Sequence, residues 1–150
     1  MQRKPLLPLL ALMVAGASAC SQGRHSAAGF RLPDNGDPAR GQMAFVALEC
    51  HGCHQVKGAE LPAVESRMKA PVVLGGPVSR TVTDGYLVTS VIHPSFKLAS
   101  YPPSEIAVEG RSRMPDYTDK ITARQLTDVV AFLQAHYEVV RPSREYPVYY

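Results

Sequence analysis

Cys50, His51, Gly52, Cys53 and His54 bring together two of the three cysteines and two of the five histidines of this 150-residue chain. Thiols three positions apart sit on adjacent edges of one helical turn, and each can add to one vinyl group of a porphyrin. The imidazole that follows is then carried under the ring, where a nitrogen reaches the iron. The C-x-x-C-H spacing therefore points to covalent haem attachment. Three other chemistries use such residues. A thioredoxin-like redox pair needs a preceding strand and a parallel sheet, and no such pattern is read in this chain. Structural zinc needs four ligands. With Cys20 remote or consumed, only histidines are left to complete that set. A Cys50–Cys53 disulfide would close a strained, very short loop.

The position opposite His54 decides the chemistry. Met114 is the candidate: it follows a long loop that can return to the far side of a haem, and Pro115 restricts its backbone and favours a fixed presentation. A methionine buried as filler is the competing reading. Met68 sits among charges, and Met43 lies inside the first helix. His93 ends a helix before Pro94, where a surface or propionate-side role is expected. His136 stands near the end of the last helix, where a cation suits the dipole. His51 is a spacer in the motif, and His25 lies in an N-terminal linker.

Three helices are expected to position these groups. The first begins at Asp37, a good N-cap, with Pro38 at the first helical position, where no N–H is needed. Gly41, Phe45 and Leu48 recur at helical spacing, and the helix is expected to run into Cys50. A loop from Gln55 to Arg80, with Pro62, Pro71, Gly75, Gly76 and Pro77, has little periodicity and must be held by something other than its own backbone. A middle helix spans Asp84 to Ile92, with Leu87, Val88, Val91 and Ile92 apolar. It stops before Pro94. Residues 95–120 read as a second long loop. The last helix opens at Thr122, with Gln125 at capping-box spacing and Leu126, Val129, Val130 and Leu133 on one face. Loops this long in a compact domain need a large apolar cofactor to wrap.

The N-terminus is a separate region. Arg3 and Lys4, the short apolar run Leu6–Ala15 and the small residues Ala17, Ser18 and Ala19 describe a secretory signal peptide, too short to span a membrane. Residues 1–19 are assigned to it. Cys20 directly follows the small triplet, which resembles the lipobox of bacterial lipoproteins, although Ala17 stands where that pattern usually has Leu. Lipidation of Cys20 is expected, because an unpaired thiol in an oxidising compartment is a liability; a plain soluble periplasmic protein is the alternative. Residues 20–36 are then the lipidated end and a flexible tether, 37–140 the domain, and 141–150 an aromatic, Pro-containing tail. The anchored protein is placed on the periplasmic side of a bacterial membrane. Ser21 is compatible with the outer membrane, and the inner membrane stays open. The formal charge of +3 is no evidence for nucleic acid: without Arg3 and Lys4 the chain has 14 basic and 13 acidic side chains, and two propionates would bring it to neutrality or below.

Over about residues 37–140 the chain resembles the class I cytochromes c. The resemblance lies in Gly41 and Phe45 before the attachment motif, in Met114, Pro115, Asp116 and Tyr117, and in Leu126, Val129, Val130, Phe132 and Leu133. Tyr86, Leu87, Ser90, Val91 and Pro94 are similar to bacterial monohaem members, including domains fused to terminal oxidases. The resemblance implies an all-α class I cytochrome c fold, three main helices and long loops wrapped around one covalent haem c. It implies tethers at Cys50 and Cys53, axial ligands His54 and Met114, and a close crossing of first and last helices at Gly41 and Phe132. Where family members carry Gly-Pro-x-Leu, this chain has Ala70, Pro71, Val72, Val73, Leu74. Pro71 is carried over as the carbonyl that holds the His54 ring N–H, with Pro62 as its rival. Arg80, Tyr86, Tyr101 and Tyr117 are candidates for the propionates, against a solvated surface role for each.

With both axial positions filled, the expected protein is an electron carrier and not an enzyme. His/Met ligation raises the potential and suits a donor to a terminal oxidase or another respiratory complex. One alternative is a haem subunit of a larger oxidoreductase, docked by Tyr146, Tyr149 and Tyr150. Another is a gas- or ligand-binding haem protein with a displaceable Met114. The anchor is directly testable. The mature protein should partition into detergent, and Cys20→Ala should release it or block its processing. A mature chain that is soluble without detergent and starts at unmodified Cys20 would overturn the lipid reading.

Overall fold

Asp37 takes an extended backbone and its Oδ1 accepts hydrogen bonds from the N–H groups of Ala39 and Arg40 at 2.9 and 3.0 Å. This cap, with Pro38 in the first turn, starts helix α1 (Pro38–Ala47) where expected. These facts come from a computed structural model, which describes residues 30–69 and 71–140. The expected signal peptide, Cys20 and the tail 141–150 lie outside the described residues. Helix α1 does not run into Cys50. Leu48 caps it, and Glu49 adopts a left-handed conformation at φ 57°, which costs a residue with a Cβ roughly 1–2 kcal/mol. The Glu49 carboxylate pairs there with the Arg67 guanidinium. Cys50–Gly52 then forms a single 3₁₀ turn.

Two more helices follow the sequence closely. Helix α2 (Asp84–Ile92) is capped by Thr83, whose side chain accepts from the Tyr86 N–H, and ends at His93 before Pro94. Helix α4 (Ala123–Ala135) opens on a complete Thr122/Gln125 capping box. Between them lies a single four-residue turn of helix, α3 (Pro103–Ile106). The apolar faces meet in one core of Ala44, Phe45, Val56, Leu87, Val88, Val129, Val130, Phe132 and Leu133. The Phe45 and Phe132 rings pack at 5.6 Å.

The all-α expectation describes this core but not the loops. Strands β1 (His54–Val56) and β2 (Val72–Leu74) pair in parallel, as do β3 (Gly76–Val78) and β6 (Tyr137–Val139). Strands β4 (Ala107–Val108) and β5 (Arg111–Ser112) form a hairpin. Its two turn residues, Glu109 and Gly110, both have positive φ, as a primed two-residue turn requires. The physical reason for the ladders is that buried backbone N–H and C=O groups must find partners. The first long loop finds them on the strand after the motif and on the chain beyond α4. Each ladder has only two or three residues per strand, too few for a period-2 pattern to register in sequence.

Residues 30–36, the described part of the expected tether, lie along the domain. Leu32 packs against the core, and Arg124 donates to the Asn35 side chain at 2.9 Å. A Cβ on Gly36 would stand 2.8 Å from Ala131 Cβ. The folded unit thus begins ahead of Asp37.

The α1–α4 crossing is as close as the resemblance implies. A Cβ on Gly41 would collide with the Asp128 backbone carbonyl and reach within 2.7 Å of Phe132 Cβ. The Asp128 side chain, only 3% exposed, closes the same crossing. It accepts from the Asp37 N–H at 2.9 Å and from Arg40 Nε and Nη2 at 2.9 and 3.1 Å. On the other side of α4, the Gln134 amide donates to Asp84 and to the Val82 carbonyl, both at 2.9 Å.

Two predictions follow from the crossing. Gly41→Val should destabilise by roughly 1–3 kcal/mol or more through overpacking; unchanged denaturant midpoint and haem retention would show that the crossing is misplaced. The second concerns acid. The Arg40 hydrogen bonds, helped by the Asp37 N–H and opposed by burial, hold the Asp128 carboxyl below its ordinary range. A depressed carboxylate contributes stability that is fully present above the unfolded value near 4 and is lost as pH falls through the folded value. Asp128→Asn should remove that part of the acid transition. At pH 7 it should cost about 1.5 kcal/mol, the low end for hydrogen bonds to charge, because half-exposed Arg40 can rehydrate. A pH–stability curve unchanged below pH 4 would contradict this.

Candidate haem-attachment site

The 3₁₀ turn after α1 delivers Cys50, its cap is Cys53, and the first residue of β1 delivers His54. Neither cysteine is in a disulfide, so the strained loop weighed from sequence is not formed. Burial pushes the Cys50 thiol up to about 11. Its Sγ lies 4.0 Å from the Leu48 carbonyl, to which it donates. A buried, protonated thiol is the opposite of the activated thiolate that a thioredoxin-like pair requires. Helix α1, not a strand, precedes the motif. Among the described residues no group of three or more Cys, His, Asp or Glu converges as a metal site, so four-ligand zinc draws no support.

His54 is oriented by the β1–β2 ladder. The register sets His54 opposite Val72, and the His54 Nδ1 stands 3.3 Å from the Val72 carbonyl. A carbonyl can only accept, so the proton is on Nδ1 and the Nε2 lone pair is left free. Burial lowers the His54 pKa, and the Val72 bond opposes that only in part; the ring is the neutral imidazole that a metal takes. The carbonyl belongs to Val72, not to Pro71 as the resemblance implied. Pro71 is the residue just before β2. The reason is register: β1 begins at His54 itself, and the ladder aligns Val72 with it. The Phe45 ring, 6.4 Å from the His54 ring, backs the imidazole from the core side.

Met114 is half-buried just after β5, and its N–H donates to Ser112 Oγ at 3.1 Å. Its segment returns to the motif three residues later. Tyr117, a propionate or surface candidate from sequence, is only 8% exposed. Its hydroxyl donates to the Leu48 carbonyl at 3.0 Å, two residues before Cys50. An aromatic close behind a Met-Pro pair was the available signal, but nothing in the sequence gave its partner. Tyr101 is half-buried, and its hydroxyl accepts from the N–H of exposed Val73 at 3.3 Å. Arg80, Tyr86 and His93 are exposed. His136 caps α4 and donates from Nδ1 to the Phe132 carbonyl at 2.8 Å. Arg67, not singled out from sequence, crosses the motif: its N–H donates to the Gly52 carbonyl at 2.8 Å.

The donor chemistry fits a covalently held haem. Two unpaired thiols flank one turn, a neutral imidazole beside them has one nitrogen engaged and one free, and His51 Nδ1 is buried without a hydrogen-bond partner. Residues 36–133 match the family model for cytochrome c oxidase, cbb3-type, subunit III. The chain belongs to that family. It is therefore a c-type cytochrome with the cytochrome c fold and covalently bound haem c, and its role is haem electron transfer. No curated protein and no solved structure matches it. The match starts at Gly36, the residue packed on Ala131, one position ahead of the Asp37 cap. No described helix is long and apolar enough to cross a membrane.

Proposed function

We propose that this cytochrome is a single-haem electron carrier on the periplasmic side of a bacterial membrane, passing electrons to or from a respiratory oxidase of the kind its family is named for. Residues 1–19 are a cleaved signal peptide, Cys20 carries a lipid, and the residues after it link the anchor to the domain. The family description favours work within or beside an oxidase, so the haem-subunit reading and the free-carrier reading differ only in how long the partner stays. The tail 141–150, with Tyr146, Tyr149 and Tyr150, is the docking element in the subunit reading.

The observation that supports this best is the pre-set His54: Nδ1–H engaged by Val72, Nε2 free, and two thiols in the turn before it. Cys50 and Cys53 would hold the haem by thioethers, with His54 and Met114 as its axial ligands. A haem so bound supplies a one-electron couple. The protein's own part is to keep that couple from rearranging. The Val72 carbonyl fixes the imidazole plane and raises its basicity, Phe45 fills the space behind it, and the Glu49–Arg67 pair spans the motif. Filling both axial positions with side chains leaves no place for a substrate, which separates a carrier from a catalyst. A thioether is a neutral, soft ligand that favours the reduced iron, so the potential should be high for a c-type haem.

The test is the sixth ligand. The oxidised protein should show the weak long-wavelength band of iron–thioether bonding. Met114→His should keep six ligands and lower the potential, and Met114→Ala should open the site to carbon monoxide in the reduced form. If the unmodified protein already binds carbon monoxide readily, or if Met114→Ala changes neither spectrum nor potential, Met114 is not the ligand and the ligand-binding reading replaces the carrier.

A further inference from the structure

The Leu48 carbonyl, at the end of α1, is approached by two side-chain donors: Cys50 Sγ at 4.0 Å and Tyr117 Oη at 3.0 Å. Only one survives haem attachment. In that reaction the S–H adds across a vinyl C=C: sulfur bonds to the inner carbon, the hydrogen ends on the terminal carbon, and no oxidant or reductant is consumed. The thioether sulfur has no proton to donate. Among the described residues Tyr117 is then the one side-chain donor left on this carbonyl.

Tyr117 is well placed to carry load. Its own carbonyl accepts the N–H groups of Lys120 and Ile121, both at 2.9 Å, in the turn that leads to Thr122, the cap of α4. The next residue, Thr118, sets its hydroxyl 2.6 Å from Asp116 Oδ1 and 3.1 Å from the Ile92 carbonyl at the end of α2, two acceptors that share one proton. So the stretch after Met114 touches the ends of α1 and α2 and the start of α4, and Tyr117 is its buried member. Lys120 adds its ammonium 5.9 Å from the Tyr117 ring centre.

We propose that Tyr117 is a positioning residue for the iron ligand Met114: its hydroxyl bond to Leu48 locks the Met114-bearing segment to the cysteine-bearing turn, so that the two faces of the haem are held at a fixed separation by a protein strut. The inference rests on the reading of Met114 as the axial ligand. The strut limits how often the thioether leaves the iron and how far it moves when the iron changes charge. A single hydrogen bond is worth about 0.5–1.5 kcal/mol net, so removing it should raise the population of the Met-off state roughly 2- to 12-fold.

Tyr117→Phe tests this in the haem-loaded protein, beside the unmodified protein and Met114→Ala. The expected variant keeps its haem and helix content. It loses the long-wavelength band at a lower temperature, well before global unfolding, shows a lower potential, and in the reduced form binds carbon monoxide roughly 2- to 12-fold faster. A mere packing role would lower the unfolding midpoint and leave band, potential and binding rate alone. If the unmodified protein shows the band and Tyr117→Phe matches it in all three readings, the strut is refuted while Met114 stands. If the unmodified protein lacks the band and binds carbon monoxide as Met114→Ala does, the ligand reading fails and takes the strut with it. Should Tyr117→Phe not accumulate with haem, amide exchange in the unmodified holoprotein decides. Lys120 and Ile121, bonded to Tyr117, should open together with Gly52 and Cys53 of the motif. Exchange of the first pair more than about tenfold faster would refute the strut.

Discussion

The contact of α1 with α4 at Gly41 sets the position of everything that does chemistry. Without a side chain at Gly41 the two backbones approach until the Asp128 carbonyl fills the space a Cβ would need. The approach buries Asp128, and a buried carboxylate must be paired or it is expelled or neutralised. Arg40 and the Asp37 N–H meet that demand from the first turn of α1, and Asp37 is also the helix cap. One residue type at one position thus fixes the distance between the helices, and one carboxylate fixes how far α1 can slide along α4. Since Cys50 follows α1 after only a short turn, the crossing also places the attachment motif relative to the core.

The remaining problem for such a chain is to hold two long loops with little apolar surface of their own. Small ladders solve it. The β1–β2 pairing satisfies loop backbone and at the same time turns the Val72 carbonyl toward His54. The β3–β6 pairing ties the end of that loop to the chain beyond α4, where the Gly76 N–H donates to the His136 carbonyl at 2.7 Å. The distal loop folds on itself through α3 and the β4–β5 hairpin and is then bound to the end of α1 through Tyr117. Backbone satisfaction and the orientation of the His54 ring are therefore the same bonds, which suits haem electron transfer with little rearrangement.

What the sequence determined by itself was local. Asp37–Pro38 and the Thr122/Gln125 box start helices because their bonds lie within one turn, and Pro94 stops one by restricting the residue before it. The C-x-x-C-H motif is contiguous, so its chemistry is legible without a fold, and Gly41 and Phe132 were legible as a crossing through family resemblance. The tertiary structure decided what depends on residues far apart in the chain. That His54 meets Val72 and not Pro71 is a matter of ladder register, 18 residues away. That Tyr117 is buried and bonded to Leu48 spans 69 residues, and a tyrosine's own sequence does not say whether its hydroxyl meets water or a carbonyl. The left-handed Glu49 that ends α1 early is likewise held from a distance, by Arg67. Local bonds can be read from neighbouring residue types; long-range ones exist only once the helix crossing has brought their ends together.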